Sequence, residues 1–196
     1  MISKQELLEQ SAEKFVKFGS RSFTMDELAS ELGISKKTIY HHFDSKDHLI
    51  YDSVGLLINN YTNNVDQIVS KEKDPIICVI LLYKTALEHL KNFKPSFIFG
   101  LQKYYPKAYS QFDQFRQNFI KITLFNLLQS AQNQNIIREE VNLHLFCDLY
   151  FKRFEEVALK NTSLIDKYSQ EEILNHFVVY NLRGVTVSSY SNVYFE

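Results

Sequence analysis

Residues 24–50 read Thr24-Met-Asp-Glu-Leu-Ala-Ser-Glu-Leu-Gly-Ile-Ser-Lys-Lys-Thr-Ile-Tyr-His-His-Phe-Asp-Ser-Lys-Asp-His-Leu-Ile50, and this stretch decides the fold. Thr24 with Glu27 forms a capping box: the hydroxyl takes the free N–H of residue 27, and the carboxylate reaches back to the cap. Met25, Leu28, Ala29 and Leu32 then fall at i, i+3, i+4 and i+7, one apolar helical face two turns long. Gly33 ends that helix, because glycine enters a left-handed turn without a Cβ penalty. Two residues further, Ser35 caps a second, short helix that opens Lys36-Lys37-Thr38 and runs to Phe43.

A sharp turn between two helices needs a small residue at the crossing and apolar residues that lock the second helix to the first. Ala29 permits the close approach, Leu28, Leu32, Ile34 and Ile39 form the shared core, and Phe43, one turn beyond Ile39, closes it. Lys36, Lys37, Thr38, Tyr40, His41 and His42 are then left on the outer and lateral faces of the short helix. Most of these are hydrogen-bond donors suited to phosphates and to base edges in a DNA groove. Lys46, in the first turn of the following helix, is placed to reach a neighbouring phosphate beside that helix's free N–H groups. His42 suits packing against the first helix as well as it suits a base contact, and Lys37 suits a diffuse electrostatic role.

The run from Thr24 to Ile50 resembles the DNA-binding domain of the TetR (tetracycline repressor) family. Thr38-Ile-Tyr-His-His-Phe43 and the Ser45-Lys-x-x-Leu49 that follows are similar to the family's recognition helix and the start of its fourth helix. The similarity spans roughly residues 2 to 55. It implies that Thr38, Tyr40 and His41 contact DNA, that Lys46 binds phosphate, and that Ser35 and Lys36 begin the recognition helix. Asp44, and a histidine at His41 where the family often has an aromatic residue, depart mildly from the pattern and bear on the operator sequence. The candidate DNA-binding set is Thr24, Ser35, Lys36, Lys37, Thr38, Tyr40, His41 and Lys46, and the expected partner is double-stranded operator DNA.

Outward from this stretch the helix signals continue. Ser3 with Glu6 is another capping box, and Leu8, Ala12, Phe15 and Val16 keep helical spacing until Gly19. Ser45 caps a long run in which Ile50, Val54, Leu57, Ile58, Tyr61, Val65, Ile68 and Val69 hold one face. Asp74-Pro75 opens a helix over Ile76 to Leu90, and Lys94-Pro95 and Tyr105-Pro106 bracket a short one. Long helices are expected from about Pro106 to Gln132, from Asn142 to Lys160, and from Ser169 to about Ser188, the last with Ser169 and Glu172 as its capping box. The tail after Gly184 is β-branched and Ser-rich, which weakens the helix there. Nine helices, with only five Gly and three Pro in 196 residues, make an all-α protein. The expected division is a helix-turn-helix domain over 1–46 and a ligand-binding and dimerisation domain over 47–196.

A net charge of −1 argues against a chain that coats nucleic acid indiscriminately, but Lys36, Lys37 and Lys46 against Asp44 make a local basic spot. The longest apolar stretch, Ile76 to Tyr83, stops at Lys84, and the N-terminus lacks a secretory core, so a soluble cytoplasmic protein with no membrane partner is expected. Cys78 and Cys147 stand alone, which suggests buried thiols rather than a disulfide or a zinc site. His41 and His42 point about 100° apart on a helix and make a poor metal pair. With no phosphate loop, His-Glu-x-x-His helix, paired-Cys motif or Gly-x-Ser-x-Gly elbow, no catalytic residue, cofactor or metal is expected, and the chain does not read as an enzyme.

The last two long helices carry wide apolar faces: Leu145, Phe146, Leu149, Tyr150, Phe154, Val157 and Ala158 on one, and Leu174, Phe177, Val178, Asn181 and Val185 on the other. The resemblance implies that such helices form a four-helix homodimer interface, hence a palindromic operator, and that a ligand in the larger domain moves the fourth helix to release DNA. Aromatic residues suggest a small apolar or aromatic effector held by Tyr61, Tyr83, Phe97, Tyr104, Phe112, Phe115 and Phe119, with Phe99, Tyr109 and Phe125 as further walls and His89 as a polar anchor. Lys91, Lys94, Lys103 and Lys107 fall near helix ends and suit solvation. The alternative is that these aromatics close-pack, leaving residues 51–196 a helical protein-interaction or structural dimer with no small-molecule ligand.

Overall fold

The computed structural model describes residues 2–21, 23–90, 95–155 and 167–196. Among these residues the regular elements are all helices, with no strand. The helices are α1 (Lys4–Phe18), α2 (Met25–Glu31), α3 (Lys36–His42), α4 (Lys46–Lys71), α5 (Pro75–Leu90) and α6 (Pro95–Tyr104). Then comes α7, made of Pro106–Asn118, a π segment Phe119–Leu124 and Phe125–Asn133. It is followed by α8 (Leu143–Glu155) and by α9, made of Gln170–Leu174, a π segment Asn175–Val179 and Tyr180–Val185. Nine helical segments among the described residues match the nine expected.

The helix starts are set by the expected side chains. Glu6 N–H donates to Ser3 Oγ at 3.1 Å and Ser3 N–H donates to Glu6 Oε2 at 2.8 Å; the same reciprocal box joins Ser169 and Glu172. Asp74 Oδ1 accepts from the N–H groups of Ile76 and Ile77, at 2.8 and 3.1 Å, ahead of Pro75, which has no N–H to satisfy. The two π segments were not foreseen, because a one-residue widening leaves no mark in hydrophobic spacing. At the second, Asn181 donates its side-chain amide to the carbonyls of His176 and Phe177, at 3.1 and 2.9 Å. This residue, expected on an apolar face, spends its donors within its own helix.

The expected end of the last helix at Ser188 is corrected to Val185. Thr186 turns extended, with φ −78° and ψ 158°, as its β-branched neighbourhood favours, and pairs with Ile137 in an isolated antiparallel bridge. Beyond it the tail folds back: Tyr190 Oη donates to Asp74 Oδ2 at 2.8 Å and Phe195 is buried. Residues 156–160 of the expected Asn142–Lys160 helix, including Val157 and Ala158, lie outside the described residues, as do Lys91, Lys94 and the side chain of Phe154.

The chain packs as two units, Met1–Thr62 with Asn92–Phe115, and Asn63–Lys91 with Arg116–Glu196. This packing division differs from the sequence division at residue 46, since the larger part of α4, α6 and the start of α7 up to Phe115 join the helix-turn-helix. The first unit has a core of Leu7, Phe15, Leu28, Ile39, Phe43, Leu49 and Ile50, completed by Phe97 and Leu101 of α6. The second buries Ile76, Val79, Ile80 and Leu82 of α5 with Leu128 and Ala131 of α7 and Val178, Val179 and Leu182 of α9. Cys78 and Cys147 are free, buried thiols, and burial pushes each up to about 11. No helix among the described residues is long and apolar enough to cross a membrane.

Candidate nucleic-acid interface

Gly33, at φ +64°, makes the left-handed turn between α2 and α3, and Ile34 N–H donates to Ala29 O at 3.0 Å across it. Thr24 and Glu27 form the expected box: Glu27 N–H donates to Thr24 Oγ1 at 3.2 Å and Thr24 N–H donates to Glu27 Oε2 at 2.7 Å. At the start of α3, Thr38 N–H donates to Ser35 Oγ at 3.0 Å, and the two hydroxyls lie 2.8 Å apart. The hydroxyls of Thr24, Ser35 and Thr38 are therefore engaged in fixing the first turns of both helices.

Ile39 and Phe43 are fully buried against α1 and α2, which sets the rotation of α3 about its axis. Lys36, Lys37, Tyr40 and His41 are in consequence exposed, Tyr40 at 45%. His42 is half-buried, with Nε2 shut away from solvent and lacking a protein partner, so it leans inward rather than out. Thr38, expected on the same free face, is half-buried, so the sequence reading and the geometry agree for Lys36, Lys37, Tyr40 and His41.

Two lysines are held in ways the sequence did not reveal. Lys36 Nζ donates to Asp26 Oδ2 at 2.8 Å, and that hydrogen bond raises its ammonium pKa. Lys46 lies half-buried, its Nζ 6.0 Å from the Phe15 ring and 5.8 Å from the Tyr105 ring, donating to Arg21 O at 3.3 Å. Burial lowers its pKa, against a partial rise from the Glu27 charge. Arg21 itself stacks on Tyr104, with Cζ 4.6 Å from the ring centroid. Asp26 and Arg21 escaped the sequence reading because their partners lie on other helices, ten and 83 positions away, where no helical period connects them.

The candidate effector residues are divided between the units. Tyr61, Phe97, Tyr104, Phe112 and Phe115 belong to the first, and Tyr83, His89 and Phe119 to the second. Phe97 is buried in the first unit's core, and Phe112 packs at its edge. Tyr61 meets Phe115 edge-on at 6.0 Å, and burial pushes its phenol pKa up. His89 Nε2 lies 3.0 Å from the side-chain amide nitrogen of Asn64. No cluster of three or more metal-ligating side chains occurs among the described residues.

A capped pair of short helices, locked by its inner face and lined with donors on its outer face, has the geometry of a helix-turn-helix. Residues 3–51 match the family described as bacterial regulatory proteins, tetR family. Over 181 residues the chain is 26% identical to the uncharacterized HTH-type transcriptional regulator YvaF of Bacillus subtilis, covering 88% of this chain and 90% of that one. Over 136 residues it is 26% identical to IcaR of Staphylococcus aureus, the HTH-type negative transcriptional regulator of the biofilm operon icaADBC, covering 69% of this chain and 66% of IcaR. In fold it is similar to FadR of Bacillus subtilis, solved in complex with stearoyl-CoA, with a TM-score of 0.74 at 13% identity, covering 93% of this chain and all of that one. Residues 3–51 thus match a DNA-binding module of the tetR-family type, and the chain is similar over most of its length to HTH-type transcriptional regulators.

Proposed function

We propose that the protein is a repressor that binds a palindromic operator as a homodimer and is released by a small apolar or aromatic effector. The observation that carries the DNA reading is the fixed rotation of α3: with Ile39 and Phe43 buried, Lys36, Lys37, Tyr40 and His41 face outward together. In this reading Thr38, Tyr40 and His41 contact the major groove, Lys46 meets a phosphate at the start of α4, and the N-termini of α2 and α3, marked by Thr24 and Ser35, approach the backbone.

The dimer reading is supported by α8, where Leu145 and Leu149 stand one turn apart at 55% and 53% exposure. Phe146, Leu174 and Val178 of the expected interface are instead buried within the chain, so the interface falls to Leu145, Leu149, Phe177 and their neighbours. A two-fold dimer presents two copies of α3, hence a palindromic site. IcaR is a negative regulator, which supports repression here, and the stearoyl-CoA bound to FadR supports an effector with a large apolar part. The fourth helix, 26 residues long and without proline, is suited to carry an effector-driven shift.

Selection from random duplexes followed by sedimentation of the complex tests this reading. An enriched inverted repeat bound by two copies of the chain is expected. Enrichment of no sequence defeats the operator reading, and a monomer at micromolar concentration, free or bound, defeats the dimer.

A further inference from the structure

We propose that Asp26 is a specificity-determining residue of the DNA interface: it holds the Lys36 ammonium where an uncharged base edge can share it and a phosphate is disfavoured. This rests on the reading of α3 as the recognition helix. Lys36 Nζ and Asp26 Oδ2 are 2.8 Å apart, and both side chains remain open to solvent, at 46% and 73% exposure. Lys36 is the first residue of α3 and Asp26 the second of α2, so the pair joins the N-terminal ends of the two helices.

A lysine at the start of a helix meets the positive end of the helix dipole, and the carboxylate opposite compensates for it. An ammonium has three N–H donors, of which one points at Asp26. Guanine offers N7 and O6, two neutral acceptors, and can take the remaining donors while the ion pair persists. A phosphate brings a full negative charge to within about 5 Å of the same carboxylate, and the repulsion opposes part of what the lysine contributes. Asp26 therefore leaves a base contact intact and weakens a phosphate contact. The neighbouring Lys37 has no ion pair among the described residues, and Lys14 is engaged by Glu31 of α2, so the Asp26 carboxylate is directed at one cation of the recognition helix.

The test is a titration of selected operator and of scrambled duplex with full-length wild type, Asp26→Asn, Lys36→Gln and the double variant, at several salt concentrations. Asp26→Asn is expected to tighten scrambled-duplex binding about threefold to tenfold, with a smaller change on the operator, so the operator preference falls. The scrambled-duplex salt slope should steepen by about 0.9 for each new phosphate contact. Lys36→Gln should weaken operator binding about tenfold, with little change on scrambled duplex. On the Asp26→Asn background it should also remove the gained non-operator affinity. Asp26→Glu, which keeps the charge, should restore the wild-type preference even if Asp26→Asn shifts the melting temperature. Equal tightening of both duplexes by Asp26→Asn, or an unchanged preference, overturns the proposal while leaving DNA binding standing. A wild-type chain that binds neither duplex overturns the recognition-helix reading together with it.

Discussion

Gly100 of α6 approaches Ser20 so closely that a methyl group on its Cα would collide with the serine Oγ. Ser20 is fully buried, and its hydroxyl donates to Phe97 O at 3.3 Å. Gly19 sits at φ +93°, a conformation that strains any side chain, and a Cβ there would lie 2.8 Å from the Oγ of the exposed Ser96. The corner between α1 and α2 is thus fitted to α6 by the missing side chain of Gly100.

Gly100→Ala tests that fit through its dependence on Ser20. The added methyl forces the buried hydroxyl off its acceptor, at a cost of about 1–3 kcal/mol. Against this stands a helix-propensity gain of up to about 1 kcal/mol. On a Ser20→Ala background the collision is gone and the gain remains. Urea denaturation is therefore expected to find Gly100→Ala destabilising alone and stabilising in the double variant; the same sign in both backgrounds contradicts the fit.

Lys46 separates packing from DNA contact. Its half-buried side chain brings the ammonium to within 6.0 Å of the Phe15 ring and 5.8 Å of the Tyr105 ring, so Lys46→Ala should cost stability of about 1 kcal/mol, whereas Lys46→Met, which keeps most of the side-chain bulk, should cost little. Both variants should weaken binding to operator and scrambled duplex alike and reduce the salt slope by about two in a dimer. A slope unchanged by Lys46→Met assigns Lys46 to the core alone.

The helix-turn-helix was legible in the sequence because its determinants are local: Thr24 and Glu27, Ser35 and Thr38, and Gly33 each act within a few residues. The inward turn of Ile39 and Phe43 followed from helical period, and so did the exposure of Tyr40 and His41. What the sequence hid depends on helices meeting. Asp26 on Lys36, Arg21 beneath Lys46, and the choice of Leu145 over Phe146 as an outward residue are set by rotation and approach, which no period encodes. An aromatic such as Phe97 suits a core and a pocket equally by composition, and only its burial in the first unit distinguishes them.

Leu149 and Val178 should part company when mutated. Leu149→Glu places a charge on an exposed position of α8, and is expected to dissociate the dimer while leaving chain stability within about 0.5 kcal/mol of wild type under monomeric conditions. Val178→Ala empties space inside the chain and should cost roughly 1–3 kcal/mol with no direct effect on association. Sedimentation at several concentrations, with denaturation alongside, checks both; a Leu149→Glu chain that stays dimeric moves the interface off α8.

Acid should loosen the helix starts. The cap backbone N–H and then the cap hydroxyl hold Glu6 and Glu27 below their usual 4.5, and for Glu172 the Ser169 hydroxyl is the larger cause. Because the folded values are depressed, the stabilisation is fully present above the unfolded value and is lost as pH falls through the folded one. A chain with all three replaced by Gln should be less stable than wild type near pH 7, and the gap should narrow below about pH 5. A gap that stays constant into acid means these carboxylates do not carry the effect.

The effector class can be tested by thermal shift before any operator is known, and the switch once an operator has been selected. Tyr61, Phe115 and their aromatic neighbours offer ring faces and edges but few charges, so a ligand among them is expected to be mainly apolar, held by dispersion and one or two hydrogen bonds. A long-chain fatty acyl compound, a polycyclic aromatic and a small polyanion, each tested by thermal shift, span the alternatives. A compound at about 100 times its Kd should raise unfolding free energy by about 2.7 kcal/mol, enough for a shift of several degrees in a chain of this size. Stabilisation by the apolar compounds that also frees bound operator supports pocket and switch together. Stabilisation by the polyanion alone refutes an apolar effector, and apolar binding with unchanged operator affinity refutes the switch, because a ligand with equal affinity for both states moves neither.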